Sequence, residues 1–231
     1  MKVESFVFAI DDVLYDTSQQ LSASRMSAVK AMKSAGLQID VETAYRKLEE
    51  IANERGPDDT RHFDTLLECI GLKWNPEVIA AGVVAYRATS PIYLAPFPDS
   101  VPTLLKLRDT GYKLGAASKG RAVKQWQKLI QLGLEHMFHV VTISEETGSE
   151  ALTVDTLSKT LERLGGAKPD RAAFVGSDLA REIAIANAAG MISLRIKTGT
   201  NRTSSPRTAD EKPAYEIGKL SDIMGLLGKQ A

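Results

Sequence analysis

The sequence predicts an α/β protein, a Rossmann-like parallel sheet with an all-helical domain inserted after its first strand. Three observations carry this. From Pro98 onward, segments with a helical apolar period alternate with short apolar runs, the mark of a parallel sheet flanked by helices. From about Ser18 to Thr89 the spacing is helical throughout, with no strand-like run. Ahead of that block stands one apolar run, Val7 to Ile10, followed directly by Asp11 and Asp12. An acidic turn at the carboxyl end of a strand is where open α/β sheets keep their chemistry.

Taken in order, Val7 to Ile10 is the expected first strand. Leu21, Met26, Val29 and Met32, then Val41, Tyr45, Leu48 and Ile51, keep the helical period, and four helices are predicted before Thr89. Their punctuation is Ala35-Gly36, Arg55-Gly56-Pro57-Asp58 and the stretch from Gly71 to Pro76, where glycine takes a left-handed cap and proline starts the next helix. Pro91, Pro96 and Pro98 close the block. The expected division is an α/β core of residues 1–16 and 93–231 and a four-helix cap of residues 17–92.

In the core, a helix over 101–109 leads to a strand over 112–117 that ends in Ser118-Lys119-Gly120. The unit repeats: a helix over 123–132 and a strand over 140–143, a helix over 157–164 and a strand over 172–176, a helix over 183–189 and a strand over 191–195. Residues 197–212, rich in Thr, Ser, Gly and Pro, are expected to be a mobile surface loop. Tyr215 to Ile217 is expected as an edge strand before a closing helix.

Composition narrows the function classes. The 231 residues are 43% hydrophobic, enough for a packed core, and 29 basic side chains balance 29 acidic ones. No basic footprint for nucleic acid is present, so small molecules or proteins are the expected partners. Cys69 is the single cysteine, which excludes an internal disulfide and fits a reducing cytoplasm. No apolar stretch approaches the roughly 20 residues of a membrane span, and the start Lys2-Val3-Glu4 does not read as a signal peptide. A cytoplasmic monomer or homodimer, bound to neither membrane nor nucleic acid, is expected.

Several stretches carry a family resemblance: Phe6 to Thr17, Gly111 to Gly115, Val123 to Leu129, and Phe174-Val175-Gly176 with Ala189-Gly190-Met191. In order and spacing they resemble a haloacid dehalogenase (HAD) superfamily phosphatase with an inserted helical cap, close to the archaeal magnesium-dependent members. The resemblance implies four motifs. The first holds an aspartate nucleophile and, two residues on, an aspartate acid/base; a carboxylate attacks phosphorus and the aspartyl phosphate is then hydrolysed. These positions are Ala9 and Asp11 here, with Val13 in place of the usual threonine. The second motif is a hydroxyl that binds the phosphoryl group, matched by Ser118 with Lys119 and Gly120 as the expected ligand-binding loop. The third is a lysine, and its position is Ala151; Lys119 and Lys159 are the nearest replacements. The fourth supplies metal-binding acids, which become Ser177 and Glu182, with Asp178 one place late.

Nucleophile, lysine and the first acid of the fourth motif are thus all replaced. The expectation from this triple replacement is a HAD-like protein that has lost phosphatase chemistry and acts as a binding, scaffolding or regulatory module, a pseudoenzyme with a phosphorylated small molecule or a protein as partner. The alternative is a phosphomonoester hydrolase with an altered site, its chemistry supplied by Asp11, Asp12 or Asp178, with Asp11 as base for direct attack by water. Mg²⁺ is expected only with retained activity, with Asp11, Asp178 and Glu182 as candidate ligands. No Ser-His-Asp spacing involves His62, His136 or His139. Trp74, Val78, Ile79, Val83 and Tyr86 form a helical-period stripe that reads as bundle core or as a partner surface.

Overall fold

The computed structural model describes residues 2–56 and 59–228. Pro57 and Asp58, part of the expected punctuation, lie outside the described residues. The chain divides into two compact units, one made of the residues up to Ser18 together with those from Leu94 onward, the other of Gln19–Tyr93.

The first strand is β1 (Ser5–Phe8). After it, α1 (Thr17–Ser34) leads into the helical unit, whose described residues add α2 (Val41–Arg55), α3 (His62–Cys69) and α4 (Pro76–Thr89). Asp40 caps α2 by accepting from the Thr43 N–H at 2.9 Å. Asn75 caps α4 just before Pro76, a residue whose missing N–H costs nothing in a first turn. Val29, Met32, Leu48, Ile51, Leu66, Leu67 and Val78 form the unit's core. Of the expected stripe, Val78 is buried, Ile79 packs against the core and Tyr86 meets Phe63 edge-on, whereas Trp74 is exposed.

In the α/β unit the described strands β1, β2 (Lys113–Ser118), β3 (Val140–Ile143), β4 (Ala172–Gly176), β5 (Ile192–Ile196) and β6 (Tyr215–Ile217) form one parallel sheet in the order β3-β2-β1-β4-β5-β6. Every residue of β1 and β4 is buried, so these strands read as unbroken apolar runs and not as alternating ones. The flanking helices are α5 (Ser100–Asp109), α6 (Ala122–Gln131), α7 (Val154–Arg163), α8 (Ala184–Ala188) and α9 (Asp222–Gly228). Strand order reverses at β1, and the carboxyl ends of the strands at such a reversal are where open α/β sheets place their sites.

Two expectations change here. The β1 ladder ends at Phe8, two residues earlier than the apolar run; Ala9 and Ile10 are buried but belong to the turn, with the Ala9 N–H donating to the Val175 carbonyl at 2.9 Å. Apolarity there marks a buried loop, not more strand. The segment over 197–212 is also tied down. Arg195, 1% exposed, donates to the carbonyls of Asn201 and Ser204 at 2.8 and 2.7 Å and to Glu216 at 2.9 Å, while Asn187 holds the carbonyls of Asp210 and Lys212.

Candidate active site

The turn after β1 is built to present one carboxylate and to lock another. A bond from the Leu14 N–H to the Ile10 carbonyl closes it, and Asp12 takes a left-handed φ of 58° that aspartate tolerates better than most residues. Asp12 exchanges bonds with Thr17: its Oδ1 accepts the Thr17 N–H at 2.9 Å, and its own N–H donates to Thr17 Oγ1 at 3.1 Å. Its carbonyl accepts from the Thr198 hydroxyl, and a Cβ at Gly199 would run into its carboxylate. Burial raises the Asp12 carboxyl above its ordinary value in spite of these bonds. Asp12 is a structural clasp.

Asp11 faces differently. Its Oδ1 accepts from the Tyr15 hydroxyl at 2.6 Å and from the Lys128 ammonium at 2.7 Å, in a pair whose side chains are each about a quarter exposed, 25% for Asp11 and 26% for Lys128. Burial by itself would raise the Asp11 carboxyl, but the charge and hydrogen bond of Lys128, then Tyr15 and the charge of Lys119, outweigh it and hold it below the usual carboxylate range. The Lys128 ammonium also stands 6.0 Å from the Tyr15 ring centre. Burial beside this anion raises the Tyr15 hydroxyl, which keeps its proton and serves as a donor. With both donors on Oδ1, Oδ2 is the oxygen left to take a proton.

Helix α6 joins this carboxylate to the β2 loop. Its N-terminus is capped from outside, the Glu145 carboxylate accepting the Ala122 N–H at 2.7 Å. Gln125 and Lys128, three residues apart and so on one face, reach the two loops: Gln125 Nε2 donates to the Lys119 carbonyl at 3.0 Å and Lys128 to Asp11. Ser118 is buried at the end of β2, its hydroxyl only 3.5 Å from the Lys119 carbonyl and so weakly held. Lys119 is exposed, and the Gly120 N–H, expected to face an anion, donates to Ser144 Oγ at 3.0 Å.

The β4 loop turns its acids onto the backbone. Glu182 Oε2 accepts the N–H groups of Ser177 and Asp178 at 2.7 and 3.0 Å, and Asp178 Oδ1 accepts those of Ala180 and Arg181, both at 3.0 Å. Asp178 thereby caps a π-helical turn, Leu179–Ile183, that runs into α8 where the sequence predicts one helix over 183–189. Burial pushes the Glu182 carboxyl up to about 7 against its two backbone bonds, and the charges of Asp178 and Asp11 add to the rise. Arg181 Nε lies 4.0 Å from Asp178 Oδ2.

At the remaining positions, Ala9 and Ser177 are buried and Ala151 is exposed, bonded within its own turn to Ser149. Lys159 pairs with Asp155 at 2.9 Å. His62 meets the Gly56 carbonyl, His139 Nδ1 accepts the Leu114 N–H, and His136 is exposed. Lys128 and Tyr15 are the site residues that sequence reasoning passed over. The available signal is positional: Lys128 lies between the inward residues Gln125 and Leu129, so its stem starts on a buried face.

Magnesium is the usual cofactor of phosphatases in the family the sequence resembles. It takes oxygen ligands in near-octahedral array. The residues here do not supply that set: positions 9 and 177 bring no carboxylate, Asp11 Oδ1 is held by an ammonium and a phenol, and Glu182 and Asp178 are held by N–H groups. Among the described residues no group of three His, Cys, Asp or Glu side chains is placed to hold a metal ion.

A parallel sheet whose strand order reverses at β1, with Asp11, Lys119, Lys128 and Ser118 in or beside the loops that follow its strands, defines an α/β protein of the Rossmann-like, doubly wound class. Residues 3–190 match the family described as haloacid dehalogenase-like hydrolase, and the chain belongs to that family. It is 42% identical over 231 residues to a protein of Methanopyrus kandleri named glyceraldehyde 3-phosphate phosphatase, with 99% of each chain covered. It is 36% identical over 224 residues to one of the same name from Methanothermobacter thermautotrophicus, covering 97% of this chain and 98% of that one. Among solved structures, a HAD phosphatase from Thermococcus onnurineus superposes with a TM-score of 0.66 at 26% identity, covering 98% of each chain.

These relatives overturn the expectation of a pseudoenzyme acting as a binding, scaffolding or regulatory module. Proteins similar to this chain over nearly its whole length bear the name of a phosphatase. The physical ground for the correction is the Asp11–Lys128 pair: the three replaced positions removed the motif residues, but a carboxylate held below its usual range by its own cation remains, partly exposed, in the turn after β1. No helix among the described residues is long and apolar enough to cross a membrane.

Proposed function

We propose that this protein hydrolyses the phosphate monoester of a small sugar-like molecule, with glyceraldehyde 3-phosphate, the compound in its relatives' names, as the first substrate to test. The observation that carries the reading is the Asp11 carboxylate, kept ionised by Lys128 within the influence of Lys119. With a methyl group at position 9 no aspartyl phosphate forms on that residue, so water attacks phosphorus directly. Asp11 Oδ2 accepts the water proton as the new P–O bond forms. The ester P–O bond breaks with its electron pair on the sugar oxygen, which takes a proton from solvent. Lys128, Lys119 and the Ser118 hydroxyl hold the phosphoryl oxygens.

The test is release of inorganic phosphate from glyceraldehyde 3-phosphate and from an aryl phosphate. The wild-type protein turns over without a burst, since no covalent intermediate accumulates. Asp11→Asn lowers kcat/KM by about 100-fold or more, the scale of a lost general base. Absence of phosphate release from either compound, or release undiminished by Asp11→Asn, contradicts the proposal.

A further inference from the structure

The mismatch between the expected magnesium set and the residues present has a specific form. In the carboxylate at this family's acid/base position, Asp11 Oδ2 is left for the proton, while Oδ1 is held by a side-chain cation, Lys128 Nζ at 2.7 Å. That ammonium comes from α6, and Tyr15 contributes both a hydrogen bond to the same oxygen and an aromatic face to the lysine. The acids of the β4 loop are meanwhile taken up by four N–H groups of their own turn, so two carboxylates that would otherwise repel a phosphate are partly neutralised.

We propose that Lys128 is the built-in cation of this site, taking over the charge neutralisation that a divalent metal and the lysine of the third motif supply elsewhere, so that the protein binds phosphate and hydrolyses phosphomonoesters without a divalent cation. This rests on the hydrolase reading above. Lys128 is then a catalytic residue: its three N–H donors are shared between Asp11, on one side, and the phosphoryl oxygens, on the other, where charge is concentrated during transfer. Loss of Asp and Lys from positions 9, 151 and 177 is coherent with it. A site that keeps its cation on a helix has no use for ligands to a second one, and unpaired buried carboxylates are costly.

Two measurements test this, each on the whole chain. In the first, binding of inorganic phosphate is followed by calorimetry in excess chelator. Wild-type protein binds, and Lys128→Gln binds about tenfold or more weakly, the scale of one charge-assisted hydrogen bond. Lys128→Arg, which keeps the charge, recovers part of the loss and shows that Lys128→Gln has not merely unfolded the helix. In the second, phosphate release from an aryl phosphate is compared in chelator and in excess Mg²⁺. Equal rates within about twofold, with Lys128→Gln slower by about 100-fold in both mixtures, are the expected result. Turnover in Mg²⁺ that chelator abolishes overturns the built-in cation and leaves the hydrolase reading standing. Absence of turnover in every mixture overturns that reading and this inference with it, and metal-free phosphate binding unaffected by Lys128→Gln overturns the role given to the lysine.

Discussion

β1 and β4 lie side by side in the sheet, and each ends in an acidic turn, yet Asp11 after β1 is held in the opposite way from Glu182 and Asp178 after β4, while Asp12, locked to Thr17, behaves like the β4 pair. After β1, Asp11 is paired with a lysine and a tyrosine and stays ionised. After β4, Glu182 and Asp178 are bound to backbone N–H groups, and burial pushes the Glu182 carboxyl up to about 7. Residue type is the same in both places; the partner decides whether the acid is a reagent or a piece of scaffold. A carboxylate on backbone donors shapes its own loop, whereas one held by a side-chain ammonium has a partner able to turn donors toward a substrate and a free oxygen able to take a proton.

The comparison can be broken from either side. The largest structural effect is expected at Arg195, which fastens the segment lying over Asp12. Arg195→Met leaves the Asn201 and Ser204 carbonyls without their donor and frees Glu216 from one of its two cations, for a loss of about 2–3 kcal/mol in chemical denaturation. Phosphate release should fall as well, because Thr198 and Gly199 press on Asp12, next to Asp11. Loss of stability with unchanged activity would show that this segment does not position the β1 turn.

Glu182→Gln acts on the other side through pH. The folded protein holds a proton on Glu182 up to about pH 7, while the unfolded chain releases it near the ordinary 4.5, so wild-type stability declines as pH rises across that window. Gln keeps an acceptor for the Ser177 and Asp178 N–H groups but does not titrate. The variant should lose that part of the decline and be the more stable form above pH 7, with little change in phosphate release. Smaller still is Asp178→Ala, which removes the cap of the Leu179–Ile183 turn at a cost of about 1 kcal/mol and leaves the Asp11 centre working. Melting curves read both variants.

The sequence makes the framework legible because buried strands and amphipathic helices are local patterns. The strand Ala172–Gly176 falls where its apolar run predicts, and β2, β3, β5 and β6 fall within a residue of theirs. β1 does not, because Ala9 and Ile10 are apolar for reasons of burial inside a turn. In the site, Asp11 and Ser118 follow from strand ends. Lys128 does not, since its partner is 117 residues away and no local spacing encodes that meeting. The role of Glu182 was equally hidden: its bonds go to its own loop's N–H groups, which every sequence has. Counting replaced motif residues led to the expectation of lost chemistry, against which the phosphatase names of the relatives stand; the replacement proposed above, Lys128, sits on a helix outside the four motifs.

A double-mutant cycle on Asp11 and Lys128, read as kcat/KM for release of phosphate from glyceraldehyde 3-phosphate, bears most directly on the claim that the two act as one catalytic unit. Asp11→Asn and Lys128→Gln should each cost about 100-fold, and the double variant should be no worse than the poorer single one by more than about threefold. Losses that multiply across the cycle would mean that the two residues act independently, and the pair would then be an ordinary ion pair beside a site that works by other means.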